Sequence, residues 1–210
     1  MKFFIFQTIL FIAFIGSPHL IKANDAAERT QKIVTEIVNS SYLELKNAVI
    51  EVKPFQSDSD YFRSQFSMSR YVTFQKMRYI IFVNPEVFTK NAPENGIRSI
   101  IAHELAHALY FKEHNRVELM GLVGLSKKSY TAKFERGADL EAISRGYGDG
   151  LKEYRTWLYQ NISPKKLEEK KRNYFSPAEI DLILEILKQN PTKIDEWRKH
   201  VPLSENDLRR

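Results

Sequence analysis

No cysteine occurs among the 210 residues. That absence excludes a disulfide framework and a lipid-modified N-terminal cysteine, so an oxidising compartment would not be used for cross-linking. Internal repeats and low-complexity linkers are missing too, which leaves no basis for a solenoid or a tethered array. The chain also has no apolar run of the ~20 residues that a membrane-spanning helix needs. Its longest, Phe3 to Gly16, follows Met1-Lys2 and is broken by Ser17-Pro18, the pattern of an export signal cut after Ala23. Ile21, at the third position before that cut, is larger than the preferred small residue, and an uncleaved anchor is the alternative. Strong charge of one sign is lacking as well. The formal charge of +6 loses Lys2 and Lys22 with the signal, and the remaining mild excess suits solubility without demanding nucleic acid.

What is present fits one compact core, with 43% hydrophobic and 28% charged residues. Asn24-Asp25 is placed to cap a helix whose apolar face runs through Ile33, Val34, Ile37 and Val38. From Ala48 to Asn84 the texture turns β-branched and aromatic, and Val49-Val52, Tyr61-Met68, Tyr71-Lys76 and Arg78-Val83 read as strands of a small, mainly antiparallel sheet. Pro93-Glu94 opens a long helix to about His114. Beyond it helices are expected over Val117-Leu125, Tyr130-Arg145, Leu151-Ile162, Lys165-Tyr174, Pro177-Gln189 and Thr192-His200. Helix, then strands, then a helical tail specifies an α+β fold instead of alternating βα units.

The chemistry is concentrated in His103-Glu104-Leu105-Ala106-His107. Positions four apart on a helix lie nearly over one another, so both imidazoles reach one zinc ion, while Glu104 lies about 100° round, beside the metal. There it can serve as catalytic base toward a metal-activated water. At this composition the motif arises by chance in about one such chain in a hundred. Its apolar neighbours, Ile100 to Leu109, mark a buried helix, where histidines must be hydrogen-bonded or metallated.

A catalytic zinc takes three protein ligands and a water. The metzincin spacing would put glycine at Tyr110 and a ligand at Glu113, and neither fits; His114 stays as a substitute. Glu135 and Asp139, four apart in Phe134-Glu135-Arg136-Gly137-Ala138-Asp139, share a helical face, so Glu135 is expected to bind zinc and Asp139 to orient a ligand histidine. Small Gly137 and Ala138 would let this helix approach the histidine helix closely.

These residues resemble the gluzincin zinc peptidases, whose helical HExxH motif is followed on a later helix by a ligand glutamate and, four on, an acidic residue. The likeness spans about Tyr79 to Gly146. It implies one Zn2+, a peptide or protein substrate, and an extended substrate lying along Arg78-Val83 as a sheet edge. Family members also place a cationic or phenolic group near the metal to stabilise the oxyanion, and Tyr147 and Tyr154 are the candidates here. The expected organisation is a signal over 1–23, a zinc metallopeptidase-like domain over 24–162 and a helical extension over 163–210 packed on it. The expected place of action is the periplasm or the cell exterior. Two other readings are kept: a non-catalytic zinc-stabilised binding protein of the cell envelope, and a partner- or membrane-surface-binding tail carried by Tyr174, Phe175, Ile180, Ile183, Leu184, Leu187, Ile194 and Trp197.

Overall fold

The computed structural model describes residues 18–114 and 128–210. The apolar leader over 1–17 and the helix expected over Val117-Leu125 lie outside the described residues. Helix α1 (Pro18–Ser40) is followed by a 3-10 turn (Leu43–Leu45), β1 (Val49–Pro54), β2 (Phe62–Phe66), α2 (Met68–Val72), β3 (Arg78–Val83), α3 (Glu86–Thr89) and α4 (Glu94–Glu113). Then come α5 (Lys128–Ala142), a π turn (Ile143–Tyr147), α6 (Gly148–Gln160), α7 (Pro164–Asn173), α8 (Pro177–Gln189), α9 (Lys193–Lys199) and α10 (Glu205–Arg209). The fold is α+β, with a three-stranded sheet between an N-terminal helix and a helical C-terminal half.

Four expectations need correction. Asn24-Asp25 lies inside α1 and does not cap its start. Tyr71-Lys76 is not a strand: α2 occupies its first half and Phe74 turns the chain with φ 56. Only Tyr71 of α2 is buried, its ring 5.6 Å from that of Phe66, and so short an apolar run has no periodicity that separates helix from strand. The sheet is mixed, in the order β1-β3-β2, with β1 parallel and β2 antiparallel to β3. The chain leaves β1, forms the far edge as β2 and returns through α2, so that β3 enters between them. Arg78–Val83 is therefore the central strand, and no extended substrate can pair along it.

Tyr79, Ile81 and Val83 alternate as the buried residues of β3, the period of a pleated strand. They join the apolar faces of α1 and α4 in one core. Helix α4 is buried almost all round from Gly96 to Leu109, with α1 and β2 on some sides and α5 and α6 on others. Its closest neighbour is α6. A Cβ on Gly150 would collide with Ser99 Oγ and the Asn95 carbonyl, so glycine is what lets these two helices touch. Gly137 plays no such part, because a Cβ there would meet only Val201, at 3.9 Å. At the end of the π turn, Gly146 takes φ 89, which turns the chain from α5 into α6. A capping box between Ser176 and Glu179, with Pro177 at the first helical position, starts α8.

Candidate metal centre

His103 and His107 sit one turn apart on α4 and both project toward α5. Their Nε2 atoms are 3.2 Å apart, and Glu135 Oε2 lies 3.2 Å from the first and 3.1 Å from the second. The helix places the two rings nearly perpendicular, with centroids 4.7 Å apart. Phe134, the residue before Glu135, stacks on His107 at 4.4 Å and fixes its plane. The Glu135 side chain is 19% exposed while the histidines are buried, so the cluster is dry on the helix side and open on the other.

Asp139 is wholly buried and accepts three hydrogen bonds. His103 Nδ1 donates at 2.8 Å, Arg155 of α6 at 2.9 Å, and the backbone N–H of Phe175 at 3.2 Å. With Nδ1 donating to Asp139, Nε2 is the His103 nitrogen turned toward Glu135 and the one available to a metal once it has lost its proton. In the metal-free protein burial pulls this imidazole down, but the Asp139 charge and hydrogen bond outweigh burial and push it up to about 9. Burial raises Glu135 too, yet His107 and His103 hold it well below the ordinary carboxylate range. Asp139 is raised by burial and lowered further by Arg155 and His103, ending below its usual value.

The donor set fits a divalent cation. Three donors with sides near 3.2 Å surround a point about 1.8 Å from each, a spacing that would suit an ion bound at the ~2.0–2.1 Å typical of zinc. Two imidazoles and one carboxylate are also a ligand set that catalytic zinc uses. Among the described residues no other group of histidines and acids comes together in this way.

Glu104 lines the cleft next to this cluster. The cleft measures about 190 Å3 and is bounded by Phe62, Arg63 and Ser64 of β2, His107, Phe134, Glu135, Lys170 and Tyr174. Its floor is formed by His107 and Glu135 and one wall by β2, an edge strand among the described residues, so β2 and not β3 is the strand beside the site.

Of the remaining residues singled out in the sequence, Tyr147 is not at the site. Its hydroxyl bonds Ser41 Oγ at 2.9 Å, on the far side of α5. His114 donates from Nδ1 to the Tyr110 carbonyl at 2.8 Å and stacks on Tyr110, and Glu113 borders a different groove, so neither joins the cluster. Tyr154 is 2% exposed and lines a recess behind Glu104.

Two participants escaped the sequence reading. Arg155, 1% exposed, pairs with Asp139, and its place on the stripe Leu151-Arg155-Leu158 was a readable sign of a buried charge. Tyr174, in the link between α7 and α8, has its ring 5.9 Å from His103 and lies under the Arg155 guanidinium at 4.3 Å. Burial and the charge of Glu135 raise its phenol well above the usual range, so it stays protonated. Nothing in its local sequence separates it from a packing tyrosine.

Comparison with protein-family models, with curated proteins and with solved structures returns no match.

Proposed function

We propose that the chain is a gluzincin-like metallopeptidase, with a zinc ion held by His103, His107 and Glu135. The reading rests on one observation: the two Nε2 atoms and Glu135 Oε2 converge within 3.2 Å of one another, and Glu104 faces the same open cleft. When bound, such an ion makes a water acidic near neutral pH and polarises a carbonyl.

The chain's own residues supply the rest. Glu104 takes the proton of the attacking water and passes it to the leaving nitrogen. Asp139 keeps the proton of His103 on Nδ1, and Arg155 and the Phe175 N–H keep Asp139 ionised and in place. Tyr174, protonated and without a hydrogen-bond partner among the described residues, is the donor available to the carbonyl oxygen of the substrate. An extended peptide pairs with β2, whose outer edge has no partner strand among the described residues and which lines the cleft. Export to the periplasm or beyond remains part of the proposal, carried by the N-terminal sequence. No helix among the described residues is long and apolar enough to cross a membrane.

The deciding experiment is metal analysis of the purified protein beside a Glu104→Gln variant, with hydrolysis of a peptide mixture followed in both. About one equivalent of zinc in each, and turnover only in the parent, is the expected result. Zinc in both with turnover in neither would leave a zinc-stabilised binding protein, and no bound metal would remove the centre altogether.

A further inference from the structure

Behind Glu104 lies a second recess, walled by Ser59, Asp60, Phe62, His103, Tyr154, Arg155, Lys170 and Tyr174 among others. Asp60, Phe62, Glu104, Lys170 and Tyr174 line both this recess and the metal cleft. The Asp60–Lys170 ion pair, 2.7 Å long, is part of the wall that the two share. The recess holds about 20 Å3, room for a water or for the one or two heavy atoms of a small side chain.

Its chemistry is equally restrictive. Each cation already has an acid: Arg155 is on Asp139 and Lys170 on Asp60. The carboxylates of Glu104 and Asp60 repel an acidic guest, and the volume excludes lysine, arginine, leucine and aromatic side chains. Two phenols of the lining have no hydrogen-bond partner among the described residues: that of Tyr174, which the metal cleft shares, and that of Tyr154, on a side chain that is 2% exposed and lines the recess alone. A buried phenol usually has a hydrogen-bond partner. One that faces a recess beside the catalytic base is equipped to meet a guest.

We propose that this recess is a substrate subsite for a small, neutral, hydrogen-bonding side chain, serine above all, next to the bond that is cut, and that Tyr154 determines the preference. The inference rests on the peptidase reading and adds the class of substrate. A serine hydroxyl fits the volume and pairs with the phenol. Alanine and glycine fit but leave the phenol unpaired, and a site built to bond a hydroxyl discriminates against an analogue that lacks it.

The test is cleavage of a random-sequence decapeptide mixture by the zinc-loaded full chain, with products sequenced by mass spectrometry. Kinetics then follow on single peptides that differ only in the residue flanking the cut. Small residues should dominate one flanking position, with serine about tenfold above alanine in kcat/KM. In Tyr154→Phe the serine peptide should fall to the alanine level, while the urea midpoint stays that of the parent, because the lost hydroxyl has no protein partner. Lys170→Ala, which removes a long side chain from the wall that recess and cleft share, should admit leucine and phenylalanine at that position. Cleavage without a small-residue preference, or a serine preference that survives Tyr154→Phe, overturns the subsite and leaves the peptidase standing. If the metal-loaded protein cuts no peptide at all, both readings fall.

Discussion

Replacing Asp139 by asparagine puts the most strain on the proposed site at the least cost in shape. The side chain is wholly buried. Its Oδ1 accepts from His103 and Arg155 and its Oδ2 from the Phe175 N–H. An amide of the same size turns one of those acceptors into a donor facing a donor, and it removes the ion-pair partner that Arg155, which is 1% exposed, has among the described residues. Breaking a buried pair by neutralising one member costs about 3–5 kcal/mol, because the surviving charge is left uncompensated. With a urea slope of about 2 kcal/mol per molar, that is a midpoint lower by roughly 2 M.

Measured with chelator present, the effect contains no metal contribution. Restoring apolar balance with Arg155→Met in the same chain should recover a large part of the loss, so the double variant is more stable than Asp139→Asn alone. Metal affinity separates the two roles of the carboxylate. It should fall about 10–100-fold in Asp139→Asn and stay low in the double variant, since His103 has lost its orienting partner in both. A loss of stability below about 1 kcal/mol, or a double variant no better than the single one, would refute the buried network as described.

His103→Ala and His107→Ala should each abolish stoichiometric zinc binding, read by metal analysis after dialysis, and retained zinc in either would remove that residue from the ligand set. Glu135→Ala should weaken zinc binding more than Asp139→Asn does in a competition titration with a chromogenic chelator; equal losses would count against direct ligation. The raised His103 makes the metal-free protein depend on pH. Its folded value of about 9 exceeds the unfolded value of about 6.5, so the stabilisation is complete below about pH 6.5 and is lost as pH rises through 9. Urea midpoints of the chelated protein should therefore fall between pH 7 and 10, and His103→Gln should flatten that fall. Gly150→Ala should destabilise by about 1–3 kcal/mol or more through the collision with Ser99 and Asn95, measured by the same melts, and an unchanged midpoint would contradict the close α4–α6 approach.

Periodicity made the long elements legible. Glu94–Glu113 and Pro177–Gln189 could be read almost to the residue because apolar spacing, proline and capping residues all agree there. The pieces between Ala48 and Asn84 were legible only as β-rich texture. Which strand is central depends on the connection from β1 over to β2 and back, and no local pattern records it. That is why Arg78–Val83 was misplaced at an edge. At the site, helical geometry put His103 with His107 and Glu135 with Asp139 on shared faces, because i and i+4 fix a face whatever the tertiary fold. That the two faces meet was expected from the need for a third ligand and from the resemblance. Arg155 and Tyr174 come from other helices and links, and their positions depend on how α6 and α7 cross α5. The choice of Tyr147 failed for the same reason: proximity in sequence to the ligand helix did not become proximity in space, since the turn at Gly146 points Tyr147 toward α1.

The helical C-terminal half is consequently part of the site's construction. Asp139 is fixed from three directions, by His103 of α4, by Arg155 of α6 and by the backbone that leads into α8. Through Asp139 the orientation of His103 depends on a backbone group 36 positions beyond Asp139 itself. The order of charges along this line, guanidinium, carboxylate, imidazole and the Glu135 carboxylate, alternates in sign when the imidazole carries a proton. A metal ion on Nε2 supplies the same positive charge in nearly the same place. Proton and metal therefore compete for one position, and zinc binding must release close to one proton from His103 at any pH below about 9. Calorimetric titrations of zinc into the chelator-treated protein, run in buffers of different ionisation enthalpy, count that proton directly. A release near one at pH 7 that vanishes in His103→Gln is the expected result. No release at pH 7 would mean that His103 is already neutral there, and the charge alternation would lose its explanation.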